Sequence, residues 1–188
     1  MSKRKVIMVT DGDTVAQKAV EIAAGNIGGR CISASAGNPT VLSGEQIIEL
    51  IKEAPHDPVV VMVDDRGAKG VGDGEAAMET IIESGAVDVL GVVAVSSNGK
   101  DCRGINVSCS ITKEGKVFEG GAVDKYGNNV GDKGICGDTL SILRNRKDMI
   151  IVGIGDPGKM DYNDDAYNGA PVTTMALKEV MKRSGYRQ

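Results

Sequence analysis

The feature that most constrains this chain is a set of strand-sized stretches that are apolar at nearly every position: Val6–Val9, VVVMV at 59–63, VLGVVAV at 89–95 and IIVGIG at 150–155. A strand with one wet face alternates apolar and polar residues, so continuous runs belong to strands covered on both faces, as in a parallel sheet between helices. The segments between them have helical spacing. Val15, Ala19, Ile22 and Ala23 fall on one face, and Gly28-Gly29 ends that helix before a strand over Cys31–Ser35. Ser43 and Gln46 form a capping box ahead of Ile47, Ile48, Ile51 and Ala54. Ala76, Ala77, Thr80 and Ile81 make a third stripe. Pro171 opens the last helix with Val172, Met175, Ala176 and Val180 inward and Gly185 as its stop. The order predicts one α/β domain over residues 1–188, a doubly wound, mostly parallel sheet of flavodoxin-like or Rossmann-like kind.

The pattern changes after residue 103. Ile105, Val107, Cys109 and Ile111 alternate with Asn106, Ser108 and Ser110, which predicts an antiparallel edge with one wet face. Lys113-Glu114-Gly115 turns the chain back through Val117 and Phe118, so an antiparallel hairpin insertion spans about 103–122. Residues 119–138 read as irregular and Thr139–Arg146 as a short helix.

Composition narrows the function classes. The net charge of −4 disfavours nucleic acid as a partner, and with four Tyr, one Phe and no Trp there is no base-stacking platform. No apolar run reaches the ~18 residues of a membrane-spanning helix, and the basic start is cut short at Asp11, so neither a transmembrane segment nor a signal peptide is expected. Cys31, Cys102, Cys109 and Cys136 contain no CxxC pair and are read as reduced thiols, with Cys109 buried. His56 is the sole histidine and precedes the third strand, away from the acids described next, so no Ser-His-Asp or Cys-His arrangement is available.

Ligands of open parallel sheets bind beyond the carboxyl ends of the strands. Aspartates stand there: Asp11 and Asp13, then Asp64 and Asp65, then Asp156 with Asp161 close behind, while Ser96 follows the fourth strand. The candidate ligand-binding residues are Asp11, Asp13, Asp64, Asp65, Ser96 and Asp156. Crowded carboxylates repel, and a hard cation such as Mg²⁺ held by Asp11, Asp13 and Asp156 would relieve them. Asp11, Asp65, Asp73 and Asp156 are equally suited to capping turns and helices. Because the first and third strands both read as central, Asp11, Asp13 and Asp64 or Asp65 are expected to meet in one cleft. GVGDGE at 70–75 offers backbone N–H groups to an anion ahead of a helix, or simply a flexible turn.

VIMVTDGDTV at 6–15 and GDPGKMD at 155–161 resemble the first and last acidic motifs of haloacid-dehalogenase-like phosphotransferases. That resemblance implies an Mg²⁺-dependent phosphohydrolase in which Asp11 attacks phosphorus and Asp13 is the general acid and base. A receiver-like reading instead takes Asp64 or Asp65 as phosphoacceptor, with Ser96 and Lys159.

A second resemblance covers the chain. VIMVTDGD, GGRCISASAGNPT, DPVVVMVDD, VLGVVAVSSN, VDKYG, GDT, IIVGIGDPGKM and RSGY, in that order between residues 6 and 186, resemble the small AE protein family of the stage V sporulation A operon. The resemblance implies a non-enzymatic sporulation and germination protein of endospore formers. It would act in the cytoplasm of the developing spore, peripheral at the spore inner membrane and not inserted in it. Its partners would be other sporulation and germination proteins of the same operon, including membrane components that handle dipicolinic acid. No catalytic residue and no certain cofactor come with it, Mg²⁺ resting on the acids alone.

Overall fold

The computed structural model describes residues 2–67, 71–97, 103–132 and 134–188. In chain order the elements are β1 (Lys5–Val9), α1 (Thr14–Asn26), β2 (Arg30–Cys31), α2 (Gly44–Glu53), β3 (Val59–Met62), α3 (Asp73–Glu83), β4 (Asp88–Val95), β5 (Cys109–Ile111), β6 (Val117–Glu119), β7 (Ala122–Val123), β8 (Asn129–Gly131), β9 (Ile151–Ile154) and α4 (Pro171–Arg183). Seven strands form one sheet in the order β2-β3-β1-β4-β9-β5-β6, and β7-β8 is a separate antiparallel pair. Every pairing in the large sheet is parallel except β5 with β6. This is the mostly parallel α/β fold with an added hairpin that the sequence predicts.

Successive residues of the central strands serve opposite layers, as the two-residue period requires. Val6, Met8, Val59, Val61, Val92 and Ala94 pack with α2 and α3, whereas Ile7, Val9, Val60, Met62, Val93 and Val95 pack with α1 and α4. The α2 reading holds in detail: both arms of the capping box form, and Ile47, Ile48, Ile51 and Ala54 are buried. On α1 the buried face is Ala16, Ala19, Val20, Ala23 and Ala24, leaving Val15 exposed. On α4 Met175 is turned outward and Leu177 is buried. In both helices the stripe is rotated from the predicted one.

Several expectations are corrected. The second strand stops at Cys31 because Ser33–Ser35 turn into a 3₁₀ segment, where the Ser35 hydroxyl donates to the Ile32 carbonyl (2.7 Å) and accepts from Met62 N–H (2.8 Å), replacing ladder bonds. The face of β5 read as wet is dry at Ser110, which is fully buried and donates to the Gly121 carbonyl at 2.7 Å. β7 lies against β5 and β9 and covers that face; β5 is itself parallel to β9, and only β6 is antiparallel. The helix expected over Thr139–Arg146 contracts to a 3₁₀ turn at Ser141–Leu143. The Lys113-Glu114-Gly115 turn forms as predicted, with Gly115 at φ 75°. Cys31 and Cys109 are buried free thiols, but Cys136 is disulfide-bonded, so the expectation of reduced thiols throughout fails at Cys136. Among the described residues no helix is long and apolar enough to cross a membrane.

Candidate functional site

Because β1 lies between β3 and β4, and β9 beyond β4, the loops leaving these strands meet at one edge of the sheet. They enclose a cavity of about 130 Å³ lined by Thr10, Asp11, Asp13, Asn38, Asp64, Val95, Ser97, Asp138, Asp156 and Lys159. Asp11, Asp13, Asp64 and Asp156 thus share one cleft, whereas Asp65 and Ser96 are outside its lining. Ser96 is buried in the sheet with its N–H on the Ile154 carbonyl, and Ser97 takes its place at the wall.

Asp13, Asp64 and Asp65 have structural duties. Asp13 caps α1, accepting from Val15 and Ala16 N–H groups (both 2.8 Å), and its other oxygen accepts from Lys159 Nζ at 2.9 Å. Burial opposes ionisation of Asp13, but these hydrogen bonds and the ammonium outweigh it and its pKa falls. Asp64 accepts from Gly12 N–H (3.2 Å) and Arg66 N–H (2.8 Å), joining the loops after β1 and β3. Thr40 adds a third loop: its hydroxyl accepts from Asp64 N–H (2.7 Å), and its own N–H donates to the Asp64 carbonyl (2.8 Å). Asp65, one residue on, faces the other way, and Gly74 and Glu75 N–H groups at the start of α3 donate to its Oδ1 (2.6 and 3.1 Å). The N–H groups that the glycine-rich segment offers an anion at Gly74 and Glu75 are therefore occupied by the chain's own carboxylate; Gly70 of that segment lies outside the described residues.

Asp11 differs. It accepts one bond, from Asp13 N–H at 3.2 Å, and burial, with Asp13 and Asp64 nearby, pushes its pKa up to about 7. Burial also raises Asp64 and Asp156, the latter against the pull of Lys159 and Lys125. Lys159 Nζ stands 2.9 Å from Asp13 and 3.8 Å from Asp156, placing an ammonium where the acids crowd. Among the described residues no three His, Cys, Asp or Glu side chains are placed to hold a metal ion; the lysine supplies positive charge that a divalent cation would otherwise bring.

Asn38, Ser97 and Asp138 complete the lining without a signal in the sequence, while Lys159, named there only in the receiver-like reading, stands beside Asp13 and Asp156. Asp138 also accepts from Gly67 N–H in the loop after β3. The signal for Lys159 was its position three residues after Asp156 at a strand end; Asn38 and Asp138 lie in loops without periodicity.

A test of this electrostatic picture is Asp11→Asn. Asp11's folded pKa, about 7, lies above the ordinary carboxylate value, so its contribution to stability is fully present below pH ~4 and lost as pH rises through about 7. Asn keeps the acceptor and removes the charge. The variant is expected to match the parent at pH 4 and to exceed it by about 1–2 kcal/mol at pH 8, a melting temperature higher by about 2–8 °C. A gain equal at both pH values would contradict this account.

No curated protein and no solved structure matches the chain. A family model does: SpoVAE, stage V sporulation protein AE1, matches residues 5–184, which include every strand, every helix and the whole cleft. By that near-complete match the chain belongs to the stage V sporulation protein AE1 family and has a role connected with sporulation.

Proposed function

We propose that this protein is a non-enzymatic binding module that serves sporulation and germination by engaging other proteins of its operon, beside the membrane components of the dipicolinic acid system and at the inner membrane of the spore. The observation that carries this reading is the way the cleft uses its acids. Asp13 and Asp64 hold α1 and three loops in place, and Lys159 is paired with Asp13 and Asp156. Burial, with Asp13 and Asp64 nearby, pushes the Asp11 pKa up to about 7, so it gives up its proton less readily than an ordinary carboxyl. A nucleophilic carboxylate needs the ionised form and an open line to its substrate, whereas a recognition surface needs fixed loops, which these bonds provide. The same cleft is the proposed place for a small polar ligand, with Asp11, Asp13, Asp64 and Asp156 as its contacts and Asp65 and Ser96 supporting from behind.

One observation favours an alternative, an Mg²⁺-dependent phosphohydrolase or phosphotransferase using Asp11 and Asp13: those two acids, Asp156 and Lys159 share one cavity. Two experiments separate the readings. Tagged protein from sporulating cells should recover other sporulation proteins, and purified protein with Mg²⁺ should leave an aryl phosphate and a panel of phosphometabolites unchanged. Recovery of no such protein, or turnover that disappears in Asp11→Asn, would overturn the binding-module reading.

A further inference from the structure

One wall of the cleft is held without regular secondary structure. Residues 134–140, between β8 and the 3₁₀ turn at Ser141–Leu143, belong to no strand of either sheet. Ile135 and Ile105 exchange N–H···O bonds of 2.9 Å as an isolated bridge. From there the segment reaches the loops after β3 and β4. The Cys136 carbonyl accepts from Ser97 N–H (2.7 Å), the Asp138 carboxylate from Gly67 N–H, and the Thr139 hydroxyl from Asp65 N–H (3.1 Å). At Gly137 an added Cβ would lie 2.6 Å from the Val95 carbonyl oxygen, so the segment is pressed against the end of β4. Val95, Ser97 and Asp138 all line the cavity.

A covalent bond fastens this wall. Cys136 is disulfide-bonded, whereas Cys31 and Cys109 are free. The chain has four cysteines, so Cys102, which lies outside the described residues, is the partner the sequence leaves. Between the two lie β5, β6, β7 and β8, and closing so long a loop removes much of the freedom the segment would otherwise have. The other thiols take no part in exchange. Burial pushes Cys31 up to about 12 and Cys109 up to about 11, so neither forms the thiolate that attacks a disulfide near neutral pH. Cys136 is only half-buried, within reach of an external thiol. Where the surroundings keep thiols reduced such a bond is transient, and where they are oxidising it persists.

We propose that the Cys136 disulfide is a redox-controlled latch on the cleft: oxidised, it fixes the wall made by Ser97 and Asp138, and reduced by a dithiol, it lets that wall move and water enter. A thiolate of the reductant attacks one sulfur of the chain and forms a mixed disulfide, and its second thiol then displaces that sulfur. Two electrons and two protons pass to the chain; one S–S bond breaks within it and one forms within the reductant, which leaves oxidised. The proposal goes beyond the binding-module reading and does not depend on which partners the protein recovers.

The test uses the full chain. Denatured and alkylated without reductant, it should carry label on Cys31 and Cys109 and yield a cross-linked peptide joining Cys102 and Cys136. Dithiothreitol added to the folded protein should open Cys136 to label while Cys31 and Cys109 stay protected. Hydrogen exchange of Ser97 N–H and Gly67 N–H should then quicken about ten-fold or more, with β1 unchanged. The Asp11 carboxyl, pushed up to about 7 by burial, should titrate closer to an ordinary carboxyl as water reaches it, a change followed by carbon-13 NMR. Oxidised glutathione should reverse these effects. Cys136→Ser should behave as the reduced protein and ignore reductant, whereas Cys31→Ala should respond as the parent does. Free thiols at all four cysteines under air, or a bond that dithiothreitol opens only after unfolding, would overturn the proposal. So would reduction that strips protection from β1, or that leaves Ser97, Gly67 and Asp11 unchanged, since the bond would then be a staple of the fold and not a latch.

Discussion

Asp164→Ala is expected to cost about 3–5 kcal/mol, a fall in melting temperature of roughly 6–20 °C. The carboxylate is fully buried, and its removal strands three backbone N–H groups and a hydroxyl inside the protein. Burial pushes its pKa up despite the bonds from Thr173, Gly158 and Val172, so a neutral analogue is the informative control. Asp164→Asn keeps an acceptor for Val172 and Thr173 but can turn an NH₂ toward Gly158, and about 1–2 kcal/mol is expected. Thermal unfolding measures both, and hydrogen exchange should show the Ala variant opening first at 157–170. An Ala variant as stable as the parent would mean that the loop is held by its apolar contacts alone.

The second large effect is expected at Gly74. An added Cβ there would lie 2.6 Å from the backbone N and C of Asp64, atoms that cannot rotate away. Gly74→Ala must push α3 off the end of β3, at about 2–3 kcal/mol. It should also disturb the cleft, because the displaced residue is Asp64 itself. Gly25, inside α1 with nothing within 4 Å of its added Cβ, is the matched control: Gly25→Ala should stabilise by about 0.5–1 kcal/mol. Equal effects at the two positions would show that helix propensity, and not the close approach, governs the result.

What could be read from the sequence follows from the range of the interactions. α2 was legible because its cap and its stripe are both local, within a few residues of each other. The meeting of Asp11, Asp13 and Asp64 was legible because continuous burial makes β1 and β3 central and adjacent, and a strand end then places its acids. Which of Asp64 and Asp65 enters the cleft depends on the two-residue period, whose phase is unreadable when every strand residue is apolar. The cover over Ser110 was not legible, because β7 is only two residues long and its burial comes from β5 and β9 rather than from its own neighbours. The Lys159–Asp13 pair joins residues 146 positions apart, and nothing local to either announces the other.

The sheet's outer borders have a consequence for association. On one side the ladder ends in β2, paired over two residues before the chain curls into a 3₁₀ turn; on the other it ends in the three-residue β6. Strand addition by a second chain needs a longer run of free backbone donors and acceptors than either border offers. Growth of the sheet into fibres or swapped dimers is therefore disfavoured even where the protein is densely packed. On the proposed function a partner would meet loops and side chains, whose contacts break one at a time, and would leave without unzipping any part of the fold.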